Sequence, residues 1–279
     1  MKNRSLSVPG ASLPAACLTA CLLAATPGAA RAQDDGAVSD VAKALANPIA
    51  SLISVPLQFN YDTDYGADDD GSLYRLNIQP VVPFSLNDDW NIISRTILPV
   101  VAQEGFPTAD YDEFGLSDTV QSVFFSPKAP TANGWIWGAG PVFLLPTATD
   151  DFLGAEKWGV GPTAVALKQS GSWTYGGLAN HIESFAGDDD RADVSASFLQ
   201  PFVSYITPSQ VTWALNLEST YDWESEQWSV PVNLGVTKLM RFGKQLVQVG
   251  GGVRYWLDSP DNGPEGWGLR LNFVLVYPK

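Results

Sequence analysis

The stretch at residues 267–277 reads WGLRLNFVLVY, and from Leu269 onward every second residue is large and apolar. Successive side chains of a β-strand point to opposite faces, so this stretch predicts a strand with one apolar face. The opposite face carries Arg270 and Asn272. In a barrel that spans a membrane, the apolar face contacts lipid and the polar face lines the lumen. A soluble barrel would reverse the two faces.

Two other stretches, 74–84 and 211–220, have the same two-faced pattern. We expect their apolar sets to face lipid and their polar sets to face the lumen. The apolar sets are Tyr74, Leu76, Ile78, Val82 and Phe84 in the first stretch, and Val211, Trp213, Leu215 and Leu217 in the second; the polar sets are Arg75, Asn77 and Gln79, and Asn216, Glu218 and Thr220.

From Ser51 to the C-terminus, the chain divides into twelve strand-like segments whose connections alternate between long acidic loops and short turns. Transmembrane barrels are built in this way, with short turns on the periplasmic side and longer loops outside. The sequence therefore predicts an all-β fold, a transmembrane antiparallel up-and-down barrel of about 12 strands. The long connections are 62–71, 104–116, 148–156, 185–192, 222–226 and 258–266, and the short ones lie around 87–89, 132–134, 170–172, 208–210 and 242–244.

The tryptophans indicate the same fold, because all ten lie at or near an end of a predicted strand. Indole is amphipathic and prefers the headgroup level of a membrane, so a membrane barrel collects it into two belts. A soluble β-sandwich would instead bury these side chains in mid-strand. Trp90, Trp135, Trp137, Trp173 and Trp213 mark the short-turn end, and Trp158, Trp223, Trp228, Trp256 and Trp267 mark the long-loop end.

The N-terminus has the features of a secretory signal. Lys2 and Arg4 precede a short apolar run, and residues 30–32, Ala-Arg-Ala, form a small-x-small cleavage site. We expect cleavage after Ala32; processing at Cys21, in a stretch that resembles a lipobox, is the alternative. The predicted organisation is a signal peptide at 1–32, an N-terminal segment at 33–51 and an outer-membrane barrel at 52–279.

The N-terminal segment 33–51 does not have the pattern of a strand. Residues 40–46 predict a short helix that ends before Pro48. The segment lies in the periplasm or folds into the lumen as a plug, and the sequence favours neither arrangement.

Charge and cysteine content exclude several classes of function. The formal net charge is −14, and the acidic residues concentrate in the long loops, which argues against a nucleic-acid partner. Both cysteines, Cys17 and Cys21, lie in the predicted signal, so thiol chemistry and disulfides are not expected in the mature chain.

Seven prolines fall inside predicted strands. Proline donates no hydrogen bond to a sheet, and a closed barrel has no free edge to accommodate it. We therefore expect bulges or kinks at these positions, which are Pro56, Pro80, Pro99, Pro141, Pro162, Pro201 and Pro231.

The single histidine, His181, is the one residue that suggests catalysis. Outer-membrane phospholipases place serine, histidine and asparagine on the barrel wall, but here Glu183 occupies the same-face position two residues away where a serine would be needed. We therefore interpret His181 as an ordinary wall residue. The sequence predicts a protein that is not an enzyme, with no catalytic residues, no cofactor and no metal site.

Polar residues on the predicted inner faces form the candidate functional set. Four arginines from strands two, three, eleven and twelve become neighbours when the last strand closes against the first. An arginine-lined lumen guides anionic solutes, or the same arginines fill the lumen by pairing with carboxylates. The candidates are Arg75, Arg95, Arg254, Arg270, Asn77, Gln79, Glu218 and Asn272.

Several motifs resemble a known family of bacterial outer-membrane barrels. They are LANPIASLISVP at 45–56, NIQPVVP at 77–83, NDDWN at 87–91, WTYGGLANH at 173–181 and STYDW at 219–223. This family consists of transporters related to the outer-membrane proteins of meta-pathway phenol degradation. The resemblance covers nearly the whole mature chain. It implies an outer-membrane barrel and the passive uptake of small or aromatic compounds.

These observations predict an outer-membrane channel or facilitator for small solutes, aromatic or anionic, in a Gram-negative-type envelope. The alternative is a non-conducting structural barrel plugged by its N-terminal segment. The expected partners are outer-membrane lipids, a small-molecule solute and the barrel assembly machinery, whereas the oligomeric state is not indicated by the sequence.

Overall fold

The structure is a computed structural model that describes residues 40–66, 68–108 and 110–277. The predicted signal peptide lies outside the described residues. The described chain forms one antiparallel sheet that closes on itself as a barrel of twelve strands, because the last strand pairs with the first. The strands are β1 Ile53–Tyr65, β2 Gly71–Ile78 and Val81–Ser85, β3 Trp90–Glu104, β4 Asp112–Leu116 and Thr119–Pro127, β5 Trp135–Leu145, β6 Lys157–Ser170, β7 Trp173–Gly187, β8 Ser195–Ile206, β9 Val211–Leu217 and Ser219–Asp222, β10 Gln227–Ser229 and Pro231–Phe242, β11 Gln245–Trp256 and β12 Trp267–Tyr277.

Four strands are broken once, and prolines lie at or opposite the breaks. Pro80 interrupts β2, and Pro231 follows the break in β10. The ladder nevertheless continues in the same register across β2, since Leu57 pairs with Ile78 and Ser54 with Val81. Proline lacks the backbone N–H but keeps its carbonyl as an acceptor. A break at proline therefore removes one ladder hydrogen bond without shifting the strand.

The expectation of a bulge or kink at every strand proline is wrong at four positions. Pro56 pairs with Val274, Pro141 with Pro162, and Pro201 with Gly177, all in unbroken register. Each proline removes one donor, and the neighbouring ladder bonds hold the alignment. Register shifts fall elsewhere, between Asp62 and Tyr65 and between Trp158 and Gly159.

The outer wall is apolar and the inner wall is mixed, as the alternation of the sequence predicts. On β12, Leu269 and Leu271 are exposed on the outside, whereas Arg270 is buried. On β9, Trp213 is exposed on the outside, while Asn216, and Glu218 at the break in the strand, border an internal cavity. An apolar outer wall on a closed barrel is the surface that contacts lipid.

The tryptophans form the two expected belts with one correction. Eight of them are exposed large side chains on the outer wall near strand ends. Trp256 instead points into the barrel, where its Nε1 donates a hydrogen bond of 3.0 Å to Asp62. The position near a strand end was predicted from the sequence, but the face was not, because a buried acceptor holds this indole inside. The exposed ones are Trp135, Trp137, Trp158, Trp173, Trp213, Trp223, Trp228 and Trp267.

The described part of the N-terminal segment lies inside the barrel at the short-turn end. Residues 40–45 form a short helix. Ala42 and Leu52 pack against inward-facing side chains of β8, β10, β11 and β12, and Ile49 packs against the opposite wall, including Ile93 and Phe124. The segment therefore crosses the lumen from wall to wall. Within the described residues, no helix is long and apolar enough to cross a membrane.

Two polar contacts fix this segment in place. Gln169 Nε2 donates to the Lys43 carbonyl at 2.8 Å, and Asn91 Nδ2 donates to Ser51 Oγ at 2.8 Å. Both donors lie on strands near the short-turn end, so the apolar packing and the hydrogen bonds act at the same level of the barrel.

Candidate functional site: the barrel lumen and its outer wall

Above the N-terminal segment, the lumen contains two adjoining cavities of about 300 and 320 Å³. Both are bordered by the same group of polar side chains from opposite walls. A small organic molecule fits a space of this size. The shared residues are Gln58, Gln79, Arg95, Gln200 and Glu218.

A two-point ion pair spans this space between two strands that are not neighbours. Arg270 on β12 donates from Nη1 and Nη2 to the two carboxylate oxygens of Glu218 on β9, at 2.8 and 2.7 Å. Its Nε donates to Asn60 Oδ1 at 2.7 Å. The fork of the guanidinium matches the carboxylate, so the charge of Arg270 is compensated in place.

A second ion pair lies nearer the long-loop end. Arg254 Nη1 is 3.2 Å from Asp62 Oδ2, and both side chains are buried. The Trp256 indole covers the guanidinium, whose central carbon lies 4.9 Å from the ring centroid. The charge of Arg254 is therefore compensated by the Asp62 carboxylate, and its guanidinium is covered by the Trp256 ring.

Arg95 and Arg75 differ from these two arginines. Among the described residues, neither has a carboxylate within ion-pair distance. Arg95 Nη2 donates to Gln79 Oε1 at 3.2 Å, and its side chain borders both of the large cavities. Arg75 borders a third cavity of about 300 Å³, below the long loops.

Amide side chains connect Arg95 to the paired Arg270. Gln79 Nε2 lies 2.6 Å from Gln58 Oε1, and the Gln58 amide is also within hydrogen-bonding distance of Arg270. Amides donate and accept, so they can rearrange around a bound solute. The inner surface between the two arginines is thus a continuous polar path along one wall.

All eight candidate residues border these internal cavities. Five line the cavity nearest the N-terminal segment, and Asn77 lines the adjoining one. Arg75 and Arg254 line the cavity below the long loops. The five are Gln79, Arg95, Glu218, Arg270 and Asn272.

A different polar cluster lies on the outer wall. His181 on β7 is paired in register with Ser197 on β8, and His181 Nδ1 is 3.0 Å from Ser197 Oγ. Glu183 Oε2 lies 3.3 Å from His181 Nε2, and Trp223 Nε1 donates to Ser197 Oγ at 2.9 Å. Ser197 was not predicted, because only the strand of His181 was considered and cross-strand pairing depends on register that the sequence does not show.

Acidic residues of the described chain do not gather into a metal site. In residues 40–66, 68–108 and 110–277, no three His, Cys, Asp or Glu side chains are placed to hold a metal ion.

Solved structures with the same fold include an outer-membrane channel. The chain aligns with an outer membrane channel from Pseudomonas putida F1 with a TM-score of 0.63 and 19% identity, over 81% of this chain and 96% of that one. This match confirms the predicted barrel fold, and together with the apolar outer wall it gives the chain the architecture of an outer-membrane protein. No known family profile matches the chain, and no curated protein sequence matches it.

Other solved structures correct one prediction. Outer membrane phospholipase A from Escherichia coli aligns with a TM-score of 0.46 and 10% identity, over 80% of this chain and 96% of that one. A Salmonella typhi outer membrane phospholipase dimer with bound calcium aligns at 0.47 and 10%, over 80% and 91%. The prediction that the chain is not an enzyme is contradicted, because enzymes occur among the structures that it resembles. At this identity the matches assign no activity.

Proposed function

We propose that the protein is an outer-membrane channel for small anionic solutes, in particular carboxylates. The observation that carries this proposal is Arg95, a guanidinium without a carboxylate partner among the described residues that borders both large cavities. A solute carboxylate would accept hydrogen bonds from Arg95 and from the neighbouring amides. Insertion by the barrel assembly machinery is part of the proposal.

Charge balance inside the barrel supports an anionic solute. Glu218 and Asp62 neutralise Arg270 and Arg254, so Arg95 and Arg75 supply the remaining positive charge along the lumen. Fixed charges that line a narrow pore select ions of the opposite sign. The acidic long loops lie outside this region.

An aromatic carboxylate would also use the apolar part of the wall. Phe202 borders one of the two cavities and Phe198 the other. Aromatic solutes are the class suggested by the resemblance to barrels related to phenol degradation. Benzoate, which has both a carboxylate and an aromatic ring, is therefore the probe that tests the two parts of the proposal.

The experiment is the reversal potential of the folded protein in a planar bilayer under a salt gradient, with and without benzoate. We expect anion preference, and partial block of the current by benzoate. Arg95→Gln should weaken both effects, whereas Lys244→Ala, which removes the same charge from an exposed turn, should change neither. Cation preference that is identical in the wild type and Arg95→Gln would refute the proposal.

A second candidate function follows from the N-terminal segment. Its packing from wall to wall at the short-turn end favours a non-conducting barrel in which residues 40–52 act as a plug. Absence of current from a demonstrably folded wild-type barrel, together with current after removal of residues 33–51, would favour this alternative.

A further inference from the structure

The outer-wall cluster has a defined orientation in the barrel. Asn180, Ile182, Ala196 and Phe198 border an internal cavity, so they point inward. Alternation along β7 and β8 then turns the residues between and beside them, His181, Glu183 and Ser197, to the outside.

The hydrogen bonds of this cluster permit an arrangement of protons in which Ser197 donates to His181. The Trp223 Nε1–H can only donate, so it occupies Ser197 Oγ as an acceptor. The Ser197 hydroxyl is then free to donate its proton to His181 Nδ1, 3.0 Å away. With Nδ1 as the acceptor, the neutral imidazole carries its proton on Nε2, which faces Glu183 at 3.3 Å.

A hydroxyl that donates to an imidazole, whose other nitrogen donates to a carboxylate, is the arrangement of a serine nucleophile with its base and its orienting acid. The roles of the two ring nitrogens are exchanged relative to the usual order, but the connectivity is the same. Geometry and roles define such a site, and the structure supplies the distances that connect the three side chains.

The surroundings of the cluster are those of a membrane boundary. Trp223 and Trp228 are exposed outer-belt side chains, and Leu199, Val160 and Phe185 are exposed on the same strands or their neighbours. Tyr221 packs against both tryptophans. A carboxylate is costly on a lipid-facing wall, and ionisable groups there mark functional positions more often than structural ones.

We propose that Ser197, His181 and Glu183 hydrolyse carboxylic esters whose acyl chains lie in the outer half of the membrane. Ser197 Oγ attacks the ester carbonyl carbon while its proton passes to His181 Nδ1. Glu183 holds the imidazole in position and stabilises the imidazolium. The Trp223 Nε1–H, the donor beside Oγ, stabilises the oxyanion of the tetrahedral intermediate.

Collapse of this intermediate breaks the bond between the carbonyl carbon and the alcohol oxygen. The alcohol leaves with the proton from His181 Nδ1, and Ser197 carries the acyl group. Water then attacks the acyl carbon, its proton passes to Nδ1, and the second collapse returns that proton to Ser197 Oγ. The products are the alcohol and the carboxylic acid, and the reaction consumes one water.

The site lies on the outside of the wall, so it does not depend on the proposed channel. Ser197 points away from the lumen, and replacing it leaves the internal ion pairs untouched. Variants of the outer-wall cluster should therefore lose ester hydrolysis and keep conductance, and variants of the lumen should do the reverse. Each set is a control for the other.

The test uses the full folded protein in detergent micelles with 4-nitrophenyl octanoate as the probe, and a fluorophosphonate as the covalent label. We expect hydrolysis by the wild type and mass-spectrometric labelling at Ser197. Ser197→Ala and His181→Ala should each lower the rate at least about 100-fold; removal of the serine or histidine of an established triad costs roughly 10⁶-fold. Ser209→Ala, in an exposed short turn, is the matched control and should keep full activity.

Two further variants distinguish the other roles. Trp223→Phe should reduce kcat by about 100-fold with little change in KM, as for the loss of one oxyanion donor. Glu183→Gln should lower kcat with little change in KM, because the imidazolium that forms during the reaction loses the carboxylate that stabilises it. A purely structural role for Glu183 would not separate kcat from KM in this way.

Three results would overturn the proposal. They are a folded wild type that neither hydrolyses the probe nor takes the label, hydrolysis that persists in Ser197→Ala, or labelling at residues other than Ser197. Folding of each variant is checked by its heat-dependent shift in gel mobility, so a misfolded variant is replaced by Ser197→Cys.

Discussion

Single residues in the lumen determine how its charges balance, and Glu218 is the one that compensates Arg270. We expect Glu218→Gln to destabilise the barrel, because it leaves a guanidinium whose side chain is 7% exposed without its partner. Removing one member of a buried ion pair costs about 3 kcal/mol. Denaturant unfolding in lipid vesicles measures this loss.

The double variant Glu218→Gln with Arg270→Gln provides the control. Its loss should be smaller than the sum of the two single losses, since no charge is then left unpaired. Additive losses would show that the two residues act independently and that the ion pair contributes nothing of its own.

Asp193, in the loop between β7 and β8, predicts a response to pH. A hydrogen bond with Lys157 lowers its pKa, and Ser184 and the charge of Lys157 act in the same direction. A carboxyl with a lowered pKa stabilises the folded loop above its ordinary value of about 3.9, and this contribution is lost as the pH falls through the lowered value. The 3.0 Å contact with Lys157 should therefore persist across neutral and mildly acidic pH.

Hydrogen exchange of the Ser184 and Val194 amides reports this contact. The Ser184 N–H donates to the Val194 carbonyl and the Val194 N–H donates to Ser184 Oγ, so both bonds close the loop that contains Asp193. We expect wild-type protection that is constant from neutral pH to about 4 and lost below it. Asp193→Asn should show weak protection at every pH, whereas Asp189→Asn in the same loop should behave as the wild type. Equal protection of all three proteins would contradict the assignment.

Sequence reasoning at residue scale depends on alternation, which decides the face that each side chain occupies. The inward positions of Arg270, Asn77 and Glu218 follow from the period of two. It failed where two strands must be aligned: Ser197 meets His181 because of the register between β7 and β8. The partner of Arg270 was equally hidden, since Glu218 reaches it across the barrel from 52 residues away.

At the scale of elements, the N-terminal segment lies inside the lumen, and its docking predicts an effect on conduction. Ile49, which is 3% exposed, anchors it to the wall of β3, β4 and β6. Ile49→Ala should weaken this docking by about 3 kcal/mol, the usual cost of truncating a buried isoleucine. We expect more frequent or larger openings in single-channel recordings.

Asp40→Asn, at an exposed position of the same segment, is the matched control and should leave the current unchanged. Removal of residues 33–51 should produce the largest increase. If neither Ile49→Ala nor the deletion raises conductance in a folded barrel, the segment does not obstruct the path.

The element scale also shows what the sequence predicted and what it did not. Twelve strands and the side of every connection follow from loop length and alternation. The behaviour of prolines did not follow, since Pro56 and Pro201 keep full register within the sheet. The rule that excludes proline from a sheet concerns the one hydrogen bond that proline cannot donate. Register, in contrast, is held by all the hydrogen bonds and side-chain contacts along the two strands. The placement of the N-terminal segment was likewise undecided, because a short helix with apolar residues packs equally well against a lumen wall or another surface.

The whole molecule carries opposite charge at its rim and inside its lumen. Its formal net charge is −14, and acidic loops such as 188–190 are exposed, whereas Arg95 and Arg75 are without carboxylate partners among the described residues inside the barrel. Salt screens exposed charges over about 10 Å at 0.1 M and about 3 Å at 1 M, but screens enclosed charges much less. The rim therefore attracts cations mainly at low salt, while the lumen arginines keep their influence at high salt.

We expect anion preference to increase as the salt concentration rises from 0.1 M to 1 M. In a pore governed by a single kind of charge, added salt weakens selectivity, so a rise identifies two opposing regions. The reversal potential at a fixed salt ratio measures the change. Neutralising the rim with Asp188→Asn, Asp189→Asn and Asp190→Asn should raise anion preference at 0.1 M and have little effect at 1 M. Selectivity that falls with salt in both proteins would show that the rim and the lumen do not oppose each other.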